Sequence, residues 1–258
     1  MKKRIVIKVG SGVLSEKFKI AKKRMLNLVS FIAELREKYD VILVTSGAVA
    51  AGYTALKIDR KESISKKVLA SVGQPILMSS YKKKFDIYDI DTSQILLTEE
   101  DFDSVKRTSI FTQIIDVLLE EGILPLVNEN DISTTPDQVF GDNDQLSANV
   151  AYETKAEILV ILSDIDGFYD KDPNKHKDAK ILKCVHKLKP EQLEDKSSAN
   201  HEFATGGIVT KLKAANFLLE HGQKMFLCNG YDLSDAREFL LNGNHEKGTL
   251  FHKKDNHR

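Results

Sequence analysis

The sequence carries no excess charge of either sign: 38 lysines and arginines balance 38 aspartates and glutamates over 258 residues. A nucleic-acid or anionic-membrane partner usually leaves a basic excess or stripe, so neither is expected. The triplets Lys22-Lys23-Arg24 and Lys82-Lys83-Lys84 are too short for one and read as solvated helix faces. Cysteine is scarce. Cys184 and Cys228 have no metal-ligand spacing and no second pair for a disulfide framework, so both read as buried free thiols. Long apolar runs are also missing, and nothing approaches a membrane span. After Met1-Lys2-Lys3-Arg4, the apolar Ile5-Val6-Ile7 is cut short by Lys8 and Gly10-Ser11-Gly12, so no signal-peptide core forms. A cytoplasmic protein is expected. No stretch rich in proline, serine and glycine divides the chain, which predicts one continuous domain of two lobes meeting near residue 155.

What is present is the alternation of an α/β protein. Hydrophobic residues make up 41% of the chain and charged residues 29%, a globular balance. Short β-branched runs alternate with longer amphipathic segments, the pattern of crossover units feeding a mostly parallel sheet. Strands are predicted at about 4–9, 41–45, 94–97, 123–127, 158–162 and 224–228. Helices are predicted at about 21–38, 66–85, 105–121, 144–154, 209–221 and 234–241. In the first helix Leu28, Phe31, Ile32 and Leu35 recur at helical spacing and form one core-facing stripe. The stretch 164–207 is the least regular, with a turn at Asp172-Pro173-Asn174 and a short helix after Lys189-Pro190. Residues 252–258 read as a solvated tail.

Chemistry-bearing residues gather at the predicted strand ends. Lys8 interrupts an apolar strand that runs into Gly10-Ser11-Gly12. A lysine in a doubly covered strand must reach an anion or an open strand end. Glycines there would let backbone N–H groups approach phosphate oxygens; the alternative is a lysine snorkelling from the sheet end. Two familiar nucleotide signatures fail. Ser15 stands where the dinucleotide fingerprint needs its third glycine, and Gly47 to Gly52 has P-loop spacing but continues into Tyr53-Thr54. The small residues from Thr45 to Gly52 form a close turn after the second strand, and Ser46 there can donate to a carboxylate. Asn128-Glu129-Asn130-Asp131 follows the fourth strand, and Gly141-Asp142-Asn143-Asp144 opens a helix, where Asp142 or Asn143 is either a cap or part of a site. Ser163-Asp164 ends the fifth strand. Thr205-Gly206-Gly207-Ile208-Val209-Thr210-Lys211 leads into a helix, either as a phosphate site or as a flexible entry loop.

In their order along the chain, from about Lys3 to Phe251, these motifs resemble the amino acid kinase family and, within it, the glutamate 5-kinases. The resemblance implies a three-layer αβα sandwich around a central, mostly parallel sheet. It implies transfer of the ATP γ-phosphoryl group to the side-chain carboxylate of L-glutamate, the first step of proline biosynthesis. Another amino acid kinase, for acetylglutamate or aspartate, or a non-catalytic sensor of the same fold, is the alternative. ATP with Mg²⁺ is the implied cofactor, as the MgATP complex, with no metal site of the protein's own. Lys8 and Lys211 would lie on the phosphates with Asp144 as the organising carboxylate. Ser46, Asp131 and Asn143 would hold the amino acid. Lys8, Gly10, Ser163, Asp164 and the run Thr205, Gly206, Gly207, Ile208, Val209, Thr210 and Lys211 would bind nucleotide. Ser163 departs from the threonine usual there, with the hydroxyl kept. The lobe of about 1–155 is expected to take the amino acid and that of about 156–252 the nucleotide. A homo-oligomer (dimer or tetramer), proline as feedback inhibitor and the absence of the PUA domain found in many relatives complete the expectation.

Overall fold

A computed structural model describes residues 2–17, 19–59, 62–134, 143–194 and 206–254. In chain order the elements are β1 (Lys3–Val9), α1 (Ser11–Leu14), β2 (Ser15–Glu16), β3 (Lys19–Ile20), α2 (Lys22–Lys38), β4 (Tyr39–Val44), α3 (Ala48–Ala55), α4 (Ser63–Phe85), β5 (Thr92–Leu97), α5 (Glu100–Asp103) and α6 (Val105–Glu120). Then follow β6 (Leu124–Glu129), α7 (Asp144–Glu153), β7 (Ile158–Ser163), β8 (Cys184–Val185), α8 (Gly206–Glu220), β9 (Lys224–Asn229), α9 (Ser234–Arg237) and β10 (Thr249–Phe251).

Among the described residues eight strands form one sheet in the order β5-β6-β4-β1-β7-β9-β10-β8, in which only the β9–β10 pairing is antiparallel. The pleat sorts the strand residues to opposite faces. Ile5, Ile7 and Val9 pack with Phe31, Ile32 and Leu35 of α2 and Leu77, Tyr81 and Phe85 of α4. Val6, Ile42, Val44, Leu159 and Ile161 pack on the other face with Phe111 of α6, Leu146 of α7 and Leu212 of α8. The result is the three-layer αβα sandwich expected. Lys8 has the parity of Val6, so its side chain leaves β1 on the α7–α8 face.

The chain runs outward from β1 on both sides. β4 pairs with β1 through Lys8↔Val44, and β7 pairs on the other flank through Lys8↔Ile161. Ligands of open α/β sheets collect at such a reversal, outside the carboxyl ends of the strands.

Several local expectations change. The close turn read over Thr45–Gly52 shrinks to Thr45–Gly47, with Gly47 at φ 102, and the rest belongs to α3. Gly10-Ser11-Gly12 is not a glycine turn: Gly10 is extended at φ −71 and one helical turn starts at Ser11. The last predicted helix is split into α9 and a π-helical turn over Glu238–Asn242. Cys228 is buried, but Cys184 is exposed on the short edge strand β8.

Candidate active site

Asp144 is the first residue of α7 and is fully buried, and both of its oxygens are engaged. Lys8 Nζ donates to Oδ1 at 2.7 Å, while Lys211 Nζ at 3.2 Å and Thr210 Oγ1 at 2.8 Å reach Oδ2. Lys8 is also fully buried and Lys211 is 4% exposed. Three elements distant in sequence thus bring two ammonium groups to one carboxylate. Burial pushes the Asp144 carboxyl up, but the charges of Lys8 and Lys211 and the hydrogen bonds from Lys8 and Thr210 outweigh it and hold it below the usual carboxylate range. Among the described residues, one buried carboxylate is thus shared by two lysines.

Beside it a cavity of about 430 Å³ opens at the carboxyl ends of β4 and β6. Its walls include Ser46, Asn128, Glu129, Asp131 and Asn143, the first residues of α3, and Lys66 of α4. Asn143 occupies the N-cap position of α7 at φ 57, yet its side chain makes no cap bond. Its Nδ2 donates instead to Thr45 O at 2.8 Å and Asn128 Oδ1 at 2.7 Å, with Ser46 Oγ at 3.5 Å. The cap reading therefore fails at Asn143, whose amide belongs to the cavity wall. Burial raises the Asp131 carboxyl above its ordinary value, countered by its own backbone hydrogen bond and by Lys67. Lys67 fixes that segment by donating to Thr134 O and, at 3.1 Å, to Ile132 O.

Toward the β7–β9 side, Ser163 is buried and its Oγ donates to Asp164 Oδ1 at 3.0 Å, leaving Asp164 exposed. Gly207 to Lys211 lie in the first turns of α8, which begins at Gly206, three residues before the predicted start. Lys211 Nζ also donates to Gly207 O at 3.0 Å. A second, smaller cavity lies here, lined among others by Gly167, Phe168, Tyr169, Asp172, Pro173 and Ile208.

The structure brings together Lys8, Asp144, Thr210 and Lys211, and gathers Ser46, Asp131 and Asn143 around one cavity. Two of the expected nucleotide contacts have partners within the fold. The Gly10 N–H donates to Leu162 O at 3.0 Å, because Gly10 continues the ladder toward β7. The Val209 side chain is fully buried and packs inside the protein. Thr205, Gly141 and Asp142 lie outside the described residues. Lys66 and, apart from Ile208, the wall of the second cavity carry no site assignment from the sequence. The turn Asp172-Pro173-Asn174 was a signal for the latter, whereas an exposed helical lysine gives none.

The sequence matches the amino acid kinase family over residues 3–229. It is 56% identical over 254 residues to a glutamate 5-kinase of Wolinella succinogenes, covering 96% of this chain and 97% of that one. A glutamate 5-kinase of Leishmania donovani is 51% identical over 252 residues, covering 98% and 96% respectively. Among solved structures, carbamate kinase from Giardia lamblia bound to AMP-PNP superposes with a TM-score of 0.67 over 98% of this chain and 99% of that one. At 16% identity this likeness concerns the fold alone. The match across most of the chain and the two relatives above half identity lead to one conclusion: the chain belongs to the amino acid kinase family, alongside its glutamate 5-kinases.

Proposed function

We propose that this enzyme transfers the γ-phosphoryl group of ATP to the side-chain carboxylate of L-glutamate, yielding L-glutamyl 5-phosphate and ADP, the first step of proline biosynthesis. The observation that carries this reading is Asp144 gripping both Lys8 and Lys211 beside a cavity walled by Glu129, Asp131 and Asn143. A carboxylate is already ionised at neutral pH, so it needs no general base to attack phosphorus. One carboxylate oxygen bonds to the γ-phosphorus as the bond to the bridging β,γ-oxygen breaks, and ADP leaves with that electron pair. Charge builds on the transferring oxygens and on ADP, where Lys8 and Lys211 stabilise it while Asp144 keeps both ammonium groups aimed. Two converging lysine ammonium groups suit the oxygens of a triphosphate. Mg²⁺ would arrive on the triphosphate and neutralise part of its charge.

In this reading the residues up to about 155 supply the amino-acid side of the site and those of about 156–252 the nucleotide side. Ser163, Asp164 and the start of α8 lie on the latter, as does the second cavity beside Ile208. The acidic residues of the first cavity suit a free α-ammonium group, which favours glutamate over its acetylated form. No helix of the described residues is long and apolar enough to cross a membrane. A cytoplasmic location, a homo-oligomeric state and inhibition by proline follow from the resemblance.

The test is to incubate the enzyme with MgATP, hydroxylamine and L-glutamate, N-acetylglutamate or aspartate in turn. An acyl phosphate is trapped as a coloured hydroxamate. Colour with glutamate and little with the others is expected; ATP-dependent colour with another acid but not with glutamate would reassign the substrate.

A further inference from the structure

We propose that Gln74, on α4 and behind the cavity wall, is a positioning residue for the amino-acid substrate: the line of amides from Gln74 through Asn128 holds Asn143 with its carbonyl oxygen left to receive the substrate's α-ammonium group. This rests on the glutamate reading above. The geometry is a chain of directed hydrogen bonds. Asn143 Nδ2 has two protons, and Thr45 O at 2.8 Å and Asn128 Oδ1 at 2.7 Å take both. Thr45 O is a main-chain carbonyl and can only accept, so the amide orientation at Asn143 is imposed by the backbone. Asn128 must then turn its oxygen toward Asn143 and its Nδ2 outward, where Gln74 Oε1 accepts at 2.8 Å. Gln74 in turn directs Nε2 to Gln94 Oε1 on the edge strand β5 at 3.3 Å.

Every amide in the line has one orientation compatible with its neighbours. Flipping Asn143 would set its oxygen against two other oxygens. What Asn143 keeps for a ligand is Oδ1, an acceptor, in a wall it shares with Glu129 and Asp131. Asn128 is 3% exposed and Asn143 5%, so few water molecules can replace a lost partner. Without the acceptor at Gln74, the Asn128 amide loses the bond that sets its direction, and Asn143 loses its hold in turn.

The test uses glutarate, which has both carboxylates of glutamate but no ammonium group. KM for glutamate, KM for ATP and the inhibition constant of glutarate are measured for the parent, Gln74→Met and Gln74→Glu. Gln74→Met is expected to raise KM for glutamate about tenfold, the scale of a misplaced hydrogen bond to a charged group. Its kcat, its KM for ATP and its inhibition by glutarate should stay near parental values. Gln74→Glu still offers Asn128 an acceptor, and the exposed Gln94 can turn to donate to it, so most of the affinity for glutamate should return. Equal weakening of glutamate and glutarate in Gln74→Met, no weakening of either, or an equally damaged Gln74→Glu would overturn the proposal. A parent inactive on glutamate removes the functional reading and this proposal with it, whereas an active parent with no such selectivity change removes the relay alone.

Discussion

At the scale of single residues, the site depends on how two carboxylates are held. Asp144 shares its two oxygens between Lys8 and Lys211 in a fully buried position, so Asp144→Asn leaves two ammonium groups without their common counter-charge. Breaking a buried pair from one side costs about 3–5 kcal/mol, because the remaining charge stays desolvated. Chemical denaturation should show a loss of that order, and kcat should fall by about a hundredfold or more as the lysines lose their aim. Parental stability in this variant would mean that other groups hold the lysines. Because the folded Asp144 titrates below its unfolded value of about 3.9, its contribution is complete above that pH and is lost as pH falls through the lower folded value. Activity near neutrality should not register it. Asp131 behaves oppositely. Burial raises its pKa, so on acidification it takes up a proton before an ordinary aspartate would and loses the charge proposed to face the substrate's ammonium group. A profile of kcat/KM for glutamate should therefore show an acid limb above the usual aspartate range, absent from the profile for ATP. In Asp131→Asn that limb should vanish, leaving only the substrate's own carboxyl near ~4.3; an unshifted limb would exclude Asp131 as its source.

At the scale of elements, α3 is positioned by close contact with α4. A Cβ on Gly73 would stand 1.8 Å from the Ala48 carbonyl oxygen, and one on Gly52 would stand 1.9 Å from that of Leu69. Those neighbours are backbone atoms, so neither residue can grow unless the helices part. Gly73→Ala should cost at least about 1–3 kcal/mol, the usual penalty of overpacking. Because Ala48, Val49 and Ala50 line the cavity, KM for glutamate should rise more than KM for ATP. Thermal unfolding and the two KM values check this, and equal changes in both would separate α3 from the amino-acid side. The same contact explains why α3 was illegible in the sequence. Its run of small residues lets two backbones touch, and such a run has no apolar stripe of helical period. The central strands were legible because β1, β4, β6 and β7 are covered on both faces and read as continuous apolar runs. β8 and β10, at two and three residues, are too short to carry a pattern. Lys8 was visible as a charge where none should be, and Asp144 as one of a run too polar for a cap. Gln74 and Lys66 were not, since polar residues on a helix usually mean solvent. At Gly10 the sequence suggests a phosphate loop, and the structure adds that its N–H completes the sheet.

At the scale of the whole molecule, the sheet divides between β1 and β7, and the lysine-carboxylate cluster spans that division. β5, β6, β4 and β1 carry the first-half residues and Lys8; β7, β9, β10 and β8 accompany α8 and Lys211; α7, which leads from one side to the other, supplies Asp144. A phosphoryl group transferred at this cluster would pass from a donor on one side to an acceptor on the other. Each ligand should then stabilise the fold independently through its own half, since anything that binds only the folded state adds RT ln(1 + [L]/Kd). At a hundred times Kd that is about 2.7 kcal/mol. For a chain of this size each kcal/mol moves the melting point by roughly 2–4 °C, so saturating glutamate or a non-hydrolysable MgATP analogue should each raise Tm by about 5–10 °C. The variants separate the halves. Lys211→Ala should lose most of the nucleotide's shift, relative to its own unliganded Tm, and keep that of glutamate. Asp131→Ala should do the reverse. If either variant lost both shifts together, the two substrates would not be divided along the sheet, and the assignment of the amino acid to one half and the nucleotide to the other would have to be abandoned.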